Sequence, residues 1–404
     1  MICIFVLLFF GALAFLFFLD RLTYVLRGDC KLFVHVDRIK NKLKTQKGDF
    51  VFLSFDIPFE NYSKKEQALV IFGEVQFVPE RKEDQRKEIW TKLTLADNPR
   101  DDGYFEAFLV KPGKTADVRG LVHARQEDLA GLRSMNFMLS YGYYGRTPLK
   151  NERIFFTVSL DDFQEKKEIF KKQTPSGSLK KPRNPDVVPI KTHLIFPGED
   201  WSKIIHQYLD GRAQPGDWVV ISESVAAIAQ GRVYPIASIK PGFWAKRLNR
   251  FFQFNSSLAS CYSMHKAIQE VGLFRITASV LIGLFGRILG RSGDFYRIAG
   301  RQAAAIDDCT GTLPPFDKSV VMAPLNPDEF AARIKLETGL EIAVVDANDL
   351  GKVDILGKTS GIDDKELVEA IQDNPQGNSD EQTPFVWIKK KPSAEQRAPL
   401  EGEK

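Results

Sequence analysis

Two stretches of this chain place carboxylates straight after short apolar runs. In AAAIDDCTGT, residues 303–312, the apolar approach from Ala303 to Ile306 ends at Asp307 and Asp308, and Thr310 and Thr312 flank Gly311. In EIAVVDANDLG, residues 341–351, the run from Ile342 to Val345 ends at Asp346, and Asn348 and Asp349 follow before Gly351. A strand that buries its apolar side chains and then presents a carboxylate suits Mg²⁺ or Mn²⁺. These hard cations take oxygen ligands and complete their shell with substrate phosphates. A third stretch, PQGNSDEQTPFVWI, sets Asn378, Asp380 and Glu381 in a polar loop before a strand over 385–388, where these residues can complete a metal site, Asn378 and Asp380 first among them. An Asp after a strand is also a common turn or N-cap residue. One such Asp reads as structure; two in one domain weigh the readings evenly.

Other polar groups stand at the ends of short runs. VVPI, residues 187–190, is followed by Lys191, Thr192 and His193. The buried-strand pattern from Trp218 to Ser222 leads into Glu223 and Ser224, then an apolar helix that stops at Gly231. Strand, polar end and helix is where α/β proteins bind ligands, an argument by fold analogy. Arg287, Arg291, Arg297 and Arg301 form a basic cluster. It suits phosphates or carboxylates through charge-assisted hydrogen bonds, or forms a solvated face. His35 and His123 lack a visible nucleophile partner, which favours a structural role. Cys3, Cys30, Cys261 and Cys309 are too dispersed for a CxxC site, and the pattern fits a reducing compartment.

The elements that must position these groups fall into two parts. Residues 30–160 alternate in short aromatic and β-branched runs, such as 71–77, 104–110 and 153–160, which predicts a small sheet or sandwich. Residues 161–186 are a basic linker, either solvated or attracted to anionic headgroups. From 187 to 390 the pattern is mixed α/β. A helix is expected over 200–208. Another opens at Asn326, Pro327 and Glu329, with Phe330, Ile334 and Leu336 as core candidates and Gly339 as its stop. Asp363 and Glu366 open a further helix. The run over 273–289 holds only eleven uncharged residues between Arg275 and Arg287, too few to span a bilayer. It reads as a buried or interface helix, or as an amphipathic segment lying on a membrane. The tail over 391–404 is polar, Pro-rich and expected to be disordered.

The strongest compositional signal is at the N-terminus. Residues 1–19 carry no charge, and at about 1.5 Å per residue such a helix approaches the hydrocarbon thickness. A signal peptide would carry a positive start and a cleavage site after the run, so residues 1–26 read as a transmembrane anchor. Lys and Arg flank only its C-terminal side, which predicts a single-pass protein with its body in the cytoplasm. The whole chain has 404 residues, 44% hydrophobic and 27% charged, with net charge +4. That excludes global disorder, collagen and coiled coil, and does not call for a nucleic-acid partner.

At these clusters the chain resembles the coenzyme F420-0 gamma-glutamyl ligase family, in particular its membrane-tethered bacterial branch. The likeness runs over roughly residues 187–390 through VVPIKTHLIFPGEDWSKII, GDWVVISESVAAIAQGRV, AAAIDDCTGTLPP, MAPLNPDEFAARIKLETGLEIAVVDANDLG and GNSDEQTPFVWI. The resemblance implies GTP, two divalent cations, and activation of a carboxylate as an acyl phosphate that an amino-acid amine attacks to form an amide. It places Asp307 and Asp346 at metal positions, and Thr310 where the family has a nucleotide-contacting Asn. Glu223 and Ser224 fall in the nucleotide loop, and Lys191 to Leu194 in the first phosphate-proximal loop. Ile228 stands where the family has Lys, and Asn378 where it has a metal-binding Glu. The expected protein is thus an α/β (α+β) ligase-like domain after a strand-rich domain and an anchor. It would use GTP or ATP with Mg²⁺ or Mn²⁺, with Arg297 and Arg301 holding an anionic group and a homodimer as the family's state. The alternative is a membrane-anchored, non-catalytic nucleotide- or metabolite-binding scaffold.

Overall fold

A computed structural model describes residues 28–100, 102–166, 184–348, 350–377 and 381–390, and several positions between 10 and 25. The chain divides into two compact units, one of Met1–Thr174 with Pro235–Val320, the other of Pro175–Tyr234 with Val321–Lys404.

Among the described residues of the first unit, ten strands form two sheets. They are β1 (Leu32–Val34), β2 (Lys40–Lys47), β3 (Phe50–Asn61), β4 (Ala68–Val78), β5 (Ile89–Leu95), β6 (Phe108–Val110), β7 (Thr115–Arg125), β8 (Ser134–Tyr144), β9 (Lys150–Ser159) and β10 (Gln164–Glu165). One sheet runs β10-β2-β3-β7-β5 with β1 on β3, and the other β6-β4-β8-β9. Alternation drives the arrangement: in β7, Val118, Val122 and Ala124 point inward and their neighbours do not. Phe55 and Phe59 of one sheet share a core with Phe137 and Phe156 of the other. Gly120 makes room for this packing, since a Cβ there would lie 2.6 Å from the Phe55 ring. The expected strand over 104–110 forms only from Phe108: the Ala107 N–H donates to the Asp317 carboxylate at 2.7 Å and not to a ladder, and the Tyr104 hydroxyl donates to the same carboxylate at 2.6 Å.

The second stretch of this unit is helical. It contains Ala245–Leu248, Cys261–Val271, Leu273–Ile288, Asp294–Ala299 and Arg301–Ala304. Among the described residues no single helix is long and apolar enough to cross a membrane. Cys261–Val271 and Leu273–Ile288 reach that length only together, and they are bent by 116° at Gly272, whose φ is +94°. Much of the expected anchor over 1–26, most of the basic linker (167–183) and the tail over 391–404 lie outside the described residues.

The second unit is built on five strands: β11 (Val187–Ile190), β12 (Trp218–Ser222), β15 (Glu341–Ala347), β16 (Val353–Lys358) and β17 (Phe385–Ile388). Between them in sequence, β13 (Val233–Pro235) and β14 (Ser319–Val321) mark where the chain leaves this unit and returns. The sheet order is β11-β17-β12-β15-β16. β12 and β15 are parallel, and β17 is antiparallel to both β11 and β12. Val219, Ile221, Ile342, Val344 and Phe385 face one core, shared with Trp201–Leu209 and Pro327–Thr338. Trp218, Val220, Ala343, Val345 and Val386 face another, shared with Leu367 and Ile371. Covering both faces is what makes these strands read as continuous apolar runs.

Helix ends follow from side-chain oxygens. Asp200 accepts from the Ser202 N–H at 3.0 Å, and Asp363 from Lys365 and Glu366, both at 3.0 Å. Pro327–Thr338 begins at the expected proline and stops before Gly339, which is left-handed. Two expectations change here. Asn326 does not cap, because it is itself left-handed and its amide donates to Glu329 at 2.8 Å. Leu336 is 88% exposed, two positions beyond the buried Ile334 and therefore on the far face.

Candidate functional site

The strand directions of the second unit carry several of the expected residues to one end of its sheet. β11, β12 and β15 run the same way. Their C-terminal ends deliver Lys191–Thr192–His193, Glu223–Ser224 and Asp346. The N-terminal end of β17 meets them: the Thr192 N–H donates to Gln382 O at 3.0 Å and the Ser222 N–H to Pro384 O at 2.9 Å. Gln376 ties the same loop down, donating to Val220 O at 3.0 Å, while Thr383 donates to Gln376 O at 2.5 Å. Asn378 and Asp380, expected as ligands within this loop, lie outside the described residues.

Asp346 is exposed and sits across from Asp354 of β16 in register. Partial desolvation raises its carboxyl above the ordinary range. Lys352 opposes that rise and Asp354 adds to it. A cation between two like charges relieves this repulsion, and two carboxylates with substrate phosphates are an ordinary Mg²⁺ donor set. Asp354 was not among the sequence-derived candidates. No local sequence pattern reveals it, because its place across from Asp346 is set by the pairing of β15 with β16. Among the described residues no three His, Cys, Asp or Glu side chains cluster as a complete metal set.

The first loop separates into different roles. Lys191 is exposed, with no ion pair among the described residues. Thr192 is buried and its hydroxyl donates to His193 O at 2.6 Å. The His193 ring is held on both sides: Nδ1 lies 2.8 Å from the Tyr208 hydroxyl and Nε2 2.7 Å from Glu199. Desolvation pushes the Glu199 carboxyl up, but His193 and the Phe196 N–H outweigh it and hold the acid below its ordinary value. That network fixes the loop. Ser222 and Ser224 hydroxyls lie 3.5 Å apart at the start of Glu223–Ala229. Ile228, on that helix, is buried.

Arg297, Arg301, Asp307 and Thr310 belong to the first unit. Arg297 is 3.3 Å from Asp294 and remains mostly exposed, as does Arg301. Asp307 is exposed, whereas its neighbour Asp308 is drawn in and accepts from Tyr144 at 2.9 Å and Ser263 at 3.1 Å. Burial pushes the Asp308 carboxyl up to about 6, against those hydrogen bonds. Thr310 has φ +71°, and its N–H donates to Asp317 O at 2.9 Å. A cavity of about 420 Å³ in this unit is lined by Phe252, Val280, Leu284, Arg287 and Phe295, among others; of the basic cluster only Arg287 reaches it, and Lys191, Glu223, Asp307 and Asp346 do not.

Comparison with known families bears on this arrangement. Residues 189–359 match the family described as F420-0:Gamma-glutamyl ligase. The chain therefore carries a gamma-glutamyl-ligase-like domain over less than half its length. The matched stretch contains Lys191, Glu223, Ser224, Arg297, Arg301, Asp307, Thr310 and Asp346, and draws on both units. No curated protein matches the chain. Solved structures with some likeness include the GAE domain of GGA2p from Saccharomyces cerevisiae, at 12% identity, 32% of this chain, 89% of that chain and TM-score 0.20. Another is a FixG-related protein from Vibrio parahaemolyticus, at 8% identity, 32% of this chain, 95% of that chain and TM-score 0.19. Scores this low carry no argument.

Proposed function

We propose that this protein is a nucleotide- and divalent-metal-dependent ligase that joins a carboxylate substrate to the amine of an amino acid. The observation that carries the reading is the gamma-glutamyl-ligase match over residues 189–359. The shared sheet end of Lys191, Glu223, Ser224 and Asp346 supports it, because ligands of α/β sheets bind at strand C-termini. Asp346, with Asp354 opposite, would hold Mg²⁺ or Mn²⁺, and the family resemblance would assign metal ligation to Asp307, Asn378 and Asp380 as well. When bound, the metal neutralises the negative charge of the nucleotide phosphates. Lys191 would pair with a phosphate, and Glu223, Ser224 and Thr310 would contact nucleotide or substrate. His193 positions the first loop through Tyr208 and Glu199. Arg297 and Arg301 would hold an anionic group of the substrate. The chain's share of the work is to orient carboxylate and amine and to keep water from the activated group. The N-terminal apolar run would anchor the protein with its body in the cytoplasm, and a homodimer is the state the family suggests.

A second reading, a scaffold that binds a nucleotide or metabolite without turnover, is favoured by Ile228. It is buried at the position where the family's lysine is expected. Calorimetry of the full chain in detergent, with GTP and then ATP, each with and without Mn²⁺, tests the first reading. Expected is Mn²⁺-dependent binding that weakens roughly tenfold or more in Asp346→Ala, an exposed position whose loss spares the fold. Phosphate release with carboxylates and amino acids present then separates ligase from scaffold. No nucleotide binding by the folded chain would overturn the ligase reading and leave the metabolite-binding scaffold.

A further inference from the structure

We propose that the helix Leu273–Ile288 is an in-plane docking surface for an anionic lipid bilayer, a second membrane contact beyond the N-terminal run. The helix is built inside out for a soluble protein. Its bulky residues face solvent: Phe274 is 80% exposed, Phe285 62% and Ile288 79%. With Ala278, Ile282 and Leu289 they recur every three or four positions, so they form one stripe along the helix. The buried face is made of Ile276, Ser279, Val280 and Gly286. Small residues there are required by the neighbouring helix Asp294–Ala299. A Cβ on Gly286 would collide with the Asp294 carboxylate, and one on Gly283 would lie 3.1 Å from the Phe295 Cβ. Rotation cannot exchange the faces, because the bulky stripe does not fit where the glycines sit.

Charge identifies the occupant. Residues 235–301 contain ten Lys or Arg and two acids, a larger positive excess than the +4 of the whole chain. Arg275, Arg287, Arg291, Arg297 and Arg301 are exposed, Arg275 at the edge of the stripe next to Phe274, and the others at the C-terminal end of the helix and beyond it. Arg291 and Arg297 share the single Asp294 as ion-pair partner, at 3.4 and 3.3 Å, and their side chains stay 61% and 65% exposed. An apolar stripe with a cationic border is the arrangement that lies in the headgroup region of an anionic leaflet. The 116° bend at Gly272 and the charge at Arg275 and Arg287 argue against a span and for a helix lying flat. The proposal stands apart from the nucleotide chemistry and can fail without it.

The test uses the full chain in a Cys3→Ser background, where Cys30, Cys261 and Cys309 are buried. Ile282→Cys and Phe285→Cys are each labelled with an environment-sensitive fluorophore, and Lys47→Cys on β2 serves as reference. The protein is reconstituted into phosphatidylcholine vesicles with or without phosphatidylglycerol, each containing chain-brominated lipid as quencher. Expected is roughly twofold or greater quenching at 282 and 285 in the anionic vesicles, reduced by salt and by Arg287→Gln with Arg291→Gln, and none at 47. Equal quenching at all three positions would overturn the proposal. So would quenching indifferent to lipid charge and salt. Shielding that persists in lipid-free detergent, with disulfide-linked pairs through position 282, would also overturn it by making the stripe a face for a second copy.

Discussion

Asp307 and Asp308 are adjacent in sequence and opposite in circumstance. Asp307 is exposed, whereas Asp308 is enclosed by Tyr144 and Ser263. Burial lifts the Asp308 carboxyl to about 6 from the ordinary aspartate value of 3.8. The folded state therefore binds a proton between those values that the unfolded chain has released, and stability falls as pH rises through that window. Above it the cost is constant, about 3 kcal/mol at 1.36 kcal/mol per pH unit. Asp308→Asn keeps an acceptor for both hydroxyls and has no proton to lose. Urea midpoints between pH 4 and 7 should slope downward for the native protein and flatten for the variant; parallel slopes would assign the titration elsewhere. Thr310 offers a second test. At φ +71° a β-branched side chain is strained, and asparagine is the non-glycine residue that tolerates the left-handed region best. Thr310→Asn should raise stability by up to about 1 kcal/mol, read from the same denaturation curves.

At the scale of elements, the second unit depends on how closely the helix Pro327–Thr338 approaches β16. Gly357 lies beneath its first turn, where a Cβ would meet the Asp328 nitrogen and the Pro327 carbonyl carbon at 2.5 Å. Backbone atoms at a helix start cannot swing aside as a side-chain tip can. Gly357→Ala should cost about 1–3 kcal/mol in denaturant unfolding, whereas Gly351→Ala probes only a positive-φ turn and serves as a separate control. The elements most legible in the sequence were those with local causes. β12, β15 and β17 announce themselves as apolar runs, and the helices after Asp200 and Asp363 by oxygens that satisfy their first N–H groups. Phe330 and Ile334 are four apart and share the buried face; Leu336 has the right chemistry at the wrong angle. Likewise Lys191, Glu223, Ser224 and Asp346 could be read as strand ends. That those ends coincide depends on strand direction, which no local pattern contains. Asp354 escaped notice for the same reason, since its register with Asp346 is a property of the pairing. The helix Leu273–Ile288 shows the reverse difficulty. Its apolar character was plain, but which face is buried is decided by Gly283 and Gly286 against Asp294 and Phe295.

Across the whole molecule, the chain passes between units at three places, near residues 174, 234 and 320. Residues 235–320 fall by sequence position within the ligase-like stretch, yet their buried polar partners lie in 1–174. The Arg146 guanidinium, itself buried, pairs with Glu66 at 2.5 Å and donates to Asn249 O at 2.8 Å and Phe252 O at 2.6 Å. Asn249 returns a bond to Arg146 O at 2.7 Å, and the Tyr262 hydroxyl accepts from the Leu149 N–H at 2.8 Å. Removing one side of such a network leaves buried polar groups and a buried charge unmatched, which costs far more than an exposed contact. Arg146→Ala should therefore destabilise the protein by about 3–5 kcal/mol. A stronger form of the same argument concerns where the chain can be cut. A fragment of residues 187–390 retains the sheet end with Asp346 but lacks every first-unit strand. In limited proteolysis it should lose residues 235–320 rapidly while β11, β12, β15, β16 and β17 resist. A fragment beginning near Cys30 should protect both stretches, because it keeps Glu66, Tyr144 and Arg146. Equal protection of 235–320 in the two fragments would mean that this stretch folds without those partners, and the Arg146 network would then be an addition to an independent fold.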